Sequence, residues 1–404
     1  MLTLDESIHQ GLNGNFSLSL SKDQSAEATA LREGGVGRFL PSASAYLSRD
    51  GSLPSETSST HLGATVNWLL FDGLQSYHSY HQLQSRELGA KLEERVALEG
   101  FLESLVVAYY DIVQQKQHLA AINDLLFVSE RRGKLASAKL EVGSGSRLSQ
   151  LQSVADLNQD SSRFLSQQES LHKAKIHLNQ LMARDPSLDF DVVDSIPLLE
   201  NLTLNDWQKI LLENNATLSL ARTQKKEALS GLGEARGHWW PSLNSSVGYS
   251  VAPKALNNTT SSRKGELSYS LNLSVPLFDK LATPTGVRLA KLAVHEQEIR
   301  LKQMELDVKV EFELARNQYE TSLRQTALES RNLAVAKLQA EGAMEKYRVG
   351  STTELEFRDA QTRLLDAEVR LILARQRAKQ AEVALQRLVG LLVRSDFISA
   401  KGKK

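Results

Sequence analysis

The chain has 404 residues, 41% hydrophobic and 24% charged, room for two or three ordinary domains or one elongated one. Lys plus Arg equals Asp plus Glu at 48 each, which leaves no basic footprint for wrapping nucleic acid and no excess of one sign for an acidic substrate. With no cysteine there are no disulfides, thiolate metal sites or thiol nucleophiles, and the absence of any run of roughly 18 apolar residues excludes a spanning helix but not a β-barrel strand.

Met1-Leu2-Thr3-Leu4-Asp5 lacks the charged and apolar regions of a signal peptide, so either the protein stays in the cytoplasm or its numbering starts after a leader. A helix follows, broken at Pro41, because the residue before proline is pushed to extended geometry. Between about 39 and 71 the period becomes two. Ala43, Ala45 and Leu47 alternate with Ser42, Ser44 and Tyr46, and Leu62, Ala64, Val66 and Trp68 alternate with Gly63, Thr65 and Asn67. From about 74 to 140 no proline occurs and apolar residues recur at sevens in Leu98, Leu105, Ile112, Leu119 and Leu126. One helix of that length would span roughly 100 Å. Val142-Gly143-Ser144 marks a tight turn, and a return helix is expected over about 146–185.

The second half repeats the first. Leu69-Leu70-Phe71-Asp72 matches Pro276-Leu277-Phe278-Asp279, Val142-Gly143-Ser144 matches Val349-Gly350-Ser351, and Leu178 and Leu181 match Leu385 and Leu388, all at an offset of 207 residues. Earlier matches, such as Leu2-Thr3-Leu4 with Leu202-Thr203-Leu204 and Pro41-Ser42 with Pro241-Ser242, are 200 apart. The extra residues belong in the polar stretch Pro253 to Gly265, since loop tips absorb length changes at small cost. The repeats run 1–200 and 201–404, the second with strands over about 241–278, a long helix over about 283–347 and a return helix over about 353–392. Its strands alternate most clearly, Leu267, Tyr269, Leu271, Leu273 and Val275 against Ser268, Ser270, Asn272 and Ser274. In the last helix Phe357, Ala360, Leu364, Ala367, Leu371 and Ala374 begin an alanine-rich coiled-coil seam.

Strands of about 10 to 12 residues with one apolar face suit a membrane barrel, lipid outside and water inside. Phe39, Trp68 and Phe71 in one half, and Trp239, Trp240 and Phe278 in the other, cluster at the strand ends as an interfacial girdle would. Four strands cannot close a barrel, and an open sheet edge in lipid leaves backbone groups unsatisfied. Two copies would supply eight strands and three would supply twelve, and spacing alone leaves both open.

These features resemble the TolC-like outer-membrane factors of efflux pumps and type I secretion systems over nearly the whole chain. The carriers are the duplicated halves, the Leu-Phe-Asp motifs at Leu70-Phe71-Asp72 and Leu277-Phe278-Asp279, the turn Tyr347-Arg348-Val349-Gly350-Ser351, and the closing Leu385 to Gly390. The resemblance implies a mainly α fold with a small membrane β part, assembled as a homotrimer with a twelve-stranded barrel on a twelve-helix tunnel. It implies an outer-membrane location facing lipid and extending into the periplasm. A periplasmic adaptor (membrane fusion) protein and an inner-membrane transporter are the implied partners. It gives Val142, Gly143, Ser144, Val349, Gly350 and Ser351 to the periplasmic tips that contact the adaptor. Glu356 and Asp359 stand where the family places an acidic ring near the closed end. Thr352 and Ser149 replace the charged residues that lock the mouth in some relatives, leaving Tyr347 and Arg348 to supply gate links. Where the family often has Asn-Pro, this chain has Asn15-Phe16 and Asn215-Ala216.

No catalytic constellation, phosphate loop or cofactor motif is present. His78 and His81 share a helix face without a third ligand, and Gly231, Gly233 and Gly237 read as a helix end. The competing reading is a soluble coiled-coil scaffold in which the hairpins are covered ornaments. A periplasmic adaptor fits less well, because it would carry one helical hairpin beside β-rich domains.

Overall fold

The computed structural model describes residues 1–52, 57–199, 204–251 and 265–393. The residues expected to carry the insertion, 253–264, lie outside that set. The element order is α1 (Leu4–Gly14), α2 (Phe16–Gly35), β1 (Ser42–Ser52), β2 (Thr57–Phe71), α3 (Gln75–Glu141), α4 (Arg147–Leu181), α5 (Leu204–Asn214), α6 (Ala216–Gly237), β3 (Ser242–Val251), β4 (Gly265–Ser274), α7 (Ala282–Arg348) and α8 (Glu354–Leu388). Adding 207 to the bounds of α3 and α4 gives those of α7 and α8. The chain forms two compact units, one of residues 1–21, 95–216 and 305–404, the other of residues 22–94 and 217–304.

In the first unit α1 and α4 pack on the middle of α3 around Leu105, Ile112, Val113 and Leu178, all fully buried. On α8 the seam Phe357, Leu371, Ala378 and Leu385 and its partner row Ala367, Ala374, Ala381 and Leu388 are buried, which is the heptad pattern made physical. The opening helix is two helices, because an asparagine interrupts it. Asn15 accepts a hydrogen bond from the Leu18 amide at 3.1 Å, capping α2, and its amide donates to the Leu181 carbonyl at 2.9 Å, closing the end of α4. Asn215 makes the equivalent bond to the Leu388 carbonyl at 3.0 Å. An asparagine that serves two helices at once supplies the break without a following proline.

The second unit holds an antiparallel sheet in the order β1-β2-β3-β4. β2 has 15 residues, more than the 10 to 12 expected, since its first part, Thr57 to His61, is polar and carries no apolar alternation. Gly231 and Gly233 lie inside α6 and do not mark its end. A Cβ on Gly233 would fall 2.4 Å from His78 Nδ1, and one on Gly231 2.7 Å from Gln82 Nε2, so these glycines let α3 approach α6 closely.

Candidate functional site

The sheet is the first feature of interest. Antiparallel register aligns Ala43, Val66, Val247 and Tyr269 in one row and Ala45, Ala64, Tyr249 and Leu267 in the next. Directly opposed residues share a face, so both rows fall on one side, and Leu47, Leu62 and Val251 extend it. The other side carries Ser44, Thr65, Gly248 and Ser268, then Ser42, Asn67, Ser246 and Ser270. Among the described residues nothing covers the apolar side: Leu47 is 72% exposed, Leu267 69% and Tyr269 86%. Among the described residues, strands β1 and β4 each have one partner, and both outer edges are open.

The aromatics frame this sheet. Trp68 donates its indole N–H to the Phe39 carbonyl at 3.0 Å, and the Phe39 ring meets Tyr80 edge-on at 6.0 Å. Phe71, Trp239, Trp240 and Phe278 are all exposed, Phe278 at 78%. Leu70-Phe71-Asp72 closes β2 and leads into α3, whereas Leu277-Phe278-Asp279 lies beyond Ser274, the end of β4, and leads into α7. Asp72 accepts from the Ser76 amide at 2.8 Å, and Asp279 accepts from the Thr283 amide at 2.6 Å, which satisfies an orphan donor of the first turn. Gly73 has φ of 69°, and a Cβ there would lie 2.3 Å from the Gly237 carbonyl, so only glycine fits. In the second half Lys280 takes that left-handed conformation at φ of 56°.

The turns joining the helix pairs form the second feature. At α3 to α4 the Ser144 and Gly145 amides converge on the Lys139 carbonyl at 2.9 and 2.8 Å, and the Gly143 amide donates to Leu140 at 3.1 Å. At α7 to α8 the Ser351 amide reaches the Lys346 carbonyl at 2.9 Å and the Gly350 amide reaches Tyr347 at 3.2 Å. Gly143 and Gly350 have φ of 74° and 76°, and a Cβ on either would meet nothing within 4 Å, so backbone conformation and not space requires glycine. Val142 and Val349 project outward, 77% and 73% exposed.

The acids expected at the pore mouth are each held by a neighbour on their own side of the turn. Glu356 completes a capping box with Thr353, whose hydroxyl accepts from the Glu356 amide at 3.2 Å, and it also accepts from the Thr352 hydroxyl. These bonds, from Thr352 first and the Thr353 backbone second, hold the Glu356 carboxyl below its ordinary range. Asp359 pairs with Arg363 at 2.7 Å. Arg348 pairs with Glu345 at 3.9 Å. Tyr347 stacks on Phe357 with centroids 4.9 Å apart, and Lys139 lies 5.3 Å above its ring, so this tyrosine joins α7, α8 and α3 within one chain.

A buried charge cluster lies among residues that the sequence pattern does not single out. Asp160 on α4 is fully buried and receives a two-pronged hydrogen bond from Arg358 on α8, at 2.6 and 2.8 Å. The Ser129 hydroxyl of α3 donates to the same carboxylate at 2.6 Å. Nearby, Arg132 of α3 pairs with Asp156 and lies 3.7 Å from Glu354, which also accepts from Ser149. Burial alone would push Asp160 up, but the bonds from Arg358 and Ser129 outweigh it and hold the carboxyl below its ordinary value. Among the described residues no group of three metal-ligating side chains occurs.

Residues 207–391 match the family model described as outer membrane efflux protein. The outer membrane efflux protein BepC of Brucella suis is 21% identical over 332 residues, 81% of this chain and 72% of BepC. The protein CyaE of Bordetella pertussis is 24% identical over 249 residues, 61% of this chain and 52% of CyaE. The outer-membrane channel OprN superposes with a TM-score of 0.86 at 20% identity, covering 96% of this chain and 89% of that one.

Proposed function

We propose that the chain is an outer membrane efflux protein, a reading supported by its match to that family model over residues 207–391, and that it is one subunit of an outer-membrane channel, the passive exit duct of a tripartite efflux or type I secretion system. It catalyses nothing. The observation that carries this reading is the sheet, which among the described residues has an apolar face with no core beneath it, a polar face behind it and two open edges. A soluble scaffold would bury Leu267, Tyr269 and Leu271 under its own helices, and here all three are exposed.

Closure requires further copies, and the strand count suits it. In an up-and-down sheet of four, β1 and β4 run in opposite directions, so β4 of one copy can pair antiparallel with β1 of the next. Three copies give twelve strands in a closed ring, the homotrimer of this reading. A second surface supports neighbours. Within the first unit α7 exposes Leu306, Leu314, Leu328 and Val335, and within the second it exposes Leu292 and Ile299, spaced largely at sevens. Such a heptad stripe on a solvated helix calls for a partner helix.

The aromatic frame would lie at the lipid interface, and the turns at Val142 to Ser144 and Val349 to Ser351 would meet a periplasmic adaptor. An inner-membrane transporter would supply the energy. Glu356 and Asp359, three copies of each, would form an acidic ring at the mouth, with Tyr347 and Arg348 among the gate links. The test is reconstitution of purified protein in planar bilayers. Discrete conductance steps are expected, and protein that remains in water without detergent and never conducts would refute the reading.

A further inference from the structure

Within the first unit, one face of α3, the last turns of α7 and the start of α8 enclose a cleft of about 270 Å³. Its walls are apolar: Leu125, Phe357 and Leu365 are buried, and Met344 stands at the side. Two observations point to a ligand. Gln361 is 93% buried and lines the cleft, yet its Oε1 has no hydrogen-bond partner. Native proteins seldom leave a buried carbonyl oxygen unpaired, and an N–H donor entering the cleft would complete it. In addition, three carboxylates line the same space, Asp124, Glu341 and Glu368. Lys337 approaches Glu368 at 4.0 Å, and among the described residues neither Asp124 nor Glu341 has an ion-pair partner.

We propose that this cleft binds a small organic cation, an ammonium group carried on an apolar body. The ammonium would face Asp124, Glu341 and Glu368 and donate one N–H to Gln361 Oε1, while the body fills the space beside Leu125, Leu365 and Phe357. Each part of the ligand matches a part of the wall. An apolar molecule would leave the amide oxygen unpaired, and an inorganic cation would leave the apolar walls empty. The state of Glu368 agrees. Burial pushes its carboxyl up and the charge of Asp124 adds to that, while Lys337 opposes it, so a further cation would relieve the penalty on its ionised form.

The site is built from one chain, so its test does not depend on conductance. Saturation-transfer NMR on the detergent-solubilised protein would use 2-phenylethylammonium as probe and 2-phenylethanol as its uncharged counterpart. The ammonium should bind about tenfold more tightly than the alcohol, the scale of one charge-assisted hydrogen bond. Gln361→Leu and Glu368→Gln should each weaken it about tenfold by the same reasoning. Leu365→Trp, which fills the cleft, should abolish binding. Circular dichroism separates loss of site from loss of fold, and should Leu365→Trp not fold, Gln361→Leu carries the test alone. Equal affinity for ammonium and alcohol, or affinity unchanged in Gln361→Leu and Glu368→Gln, would overturn the proposal. So would absence of binding in a folded oligomer, which would mean that a second copy or a partner side chain fills the cleft. A protein that conducts but binds no ammonium refutes this inference and leaves the channel reading intact.

Discussion

Replacing Asp160 should loosen the helix pair α4 and α8 more than any surface substitution could. The carboxylate is fully buried, the Arg358 side chain that grips it is 12% exposed, and Ser129 donates to it as well. Asp160→Ala would leave the largely buried Arg358 guanidinium with only the longer ion-pair approach of Asp156 at 3.8 Å and the Ser129 hydroxyl without its acceptor. Breaking such a buried pair costs about 3–5 kcal/mol, or roughly a hundred-fold to several-thousand-fold in a local opening constant. Hydrogen exchange read by mass spectrometry on the solubilised protein measures this directly, in peptides covering 153–165 of α4 and 354–365 of α8. Exchange there should quicken by at least a hundred-fold in Asp160→Ala, with peptides from the sheet unchanged. Acid should act in the same direction. A carboxyl held below its ordinary value contributes stability that is fully present above about pH 4 and is lost as pH falls through its folded-state value. After correction for intrinsic exchange rates, protection in these peptides should therefore fall below about pH 4 in the wild type and stay flat in Asp160→Ala. Exchange within twofold of wild type in the variant would show that the cluster holds nothing, and the reasoning would fail.

Other consequences can be checked separately. Leu271→Lys, placing a charge on the apolar face, should cost about 2–4 kcal/mol if it falls near the bilayer midplane and reduce insertion into liposomes, whereas Ser270→Lys on the polar face should insert normally. Lys280→Gly should raise the chemical-denaturation midpoint, because Lys280 holds φ of 56° at a cost of about 1–2 kcal/mol, part of which glycine's greater chain entropy returns. Gly73→Ala should instead prevent assembly, judged by size-exclusion chromatography, since its Cβ would lie 2.3 Å from a backbone oxygen. The double variant Glu356→Gln and Asp359→Asn should abolish channel block by multivalent cations in single-channel recordings; glutamine keeps the capping role, so unchanged block would remove these residues from the pore.

Much of the fold was legible because it is written in two periods. Heptads in α3 and α8 and strict alternation in β4 are strong local signals, and the duplication lets the clear half interpret the weak one. The Asn15 and Asn215 breaks were less visible, since an asparagine that caps one helix while closing another looks in sequence like any polar residue. The Asp160 cluster was missed because its members lie up to 229 positions apart and each looks solvated. A signal did exist. The seam residues Ala360, Ala367 and Ala374 of α8, of which Ala367 and Ala374 are buried, map at the 207 offset onto Ser153, Asp160 and Gln167 of α4, so an aspartate occupies a position where the other half buries alanine. A buried charge must be paired, and the offset alone could have prompted the search for its arginine. Glu356 shows the reverse case. Its spacing from Gly350 was plain, but its engagement by Thr352 and Thr353 depends on cap geometry, which spacing does not specify.

The central claim is that several copies complete one barrel through β1 and β4, and cysteine cross-linking tests it most directly. The chain contains no cysteine, so Ala45→Cys and Leu271→Cys in one chain would be the only thiols, one on each outer strand of the sheet. Oxidation of the membrane fraction should give a ladder that stops at three linked chains, with the single variants giving none. Oxidised protein that remains a single 44.8 kDa chain, or a ladder that continues past three, would contradict the account.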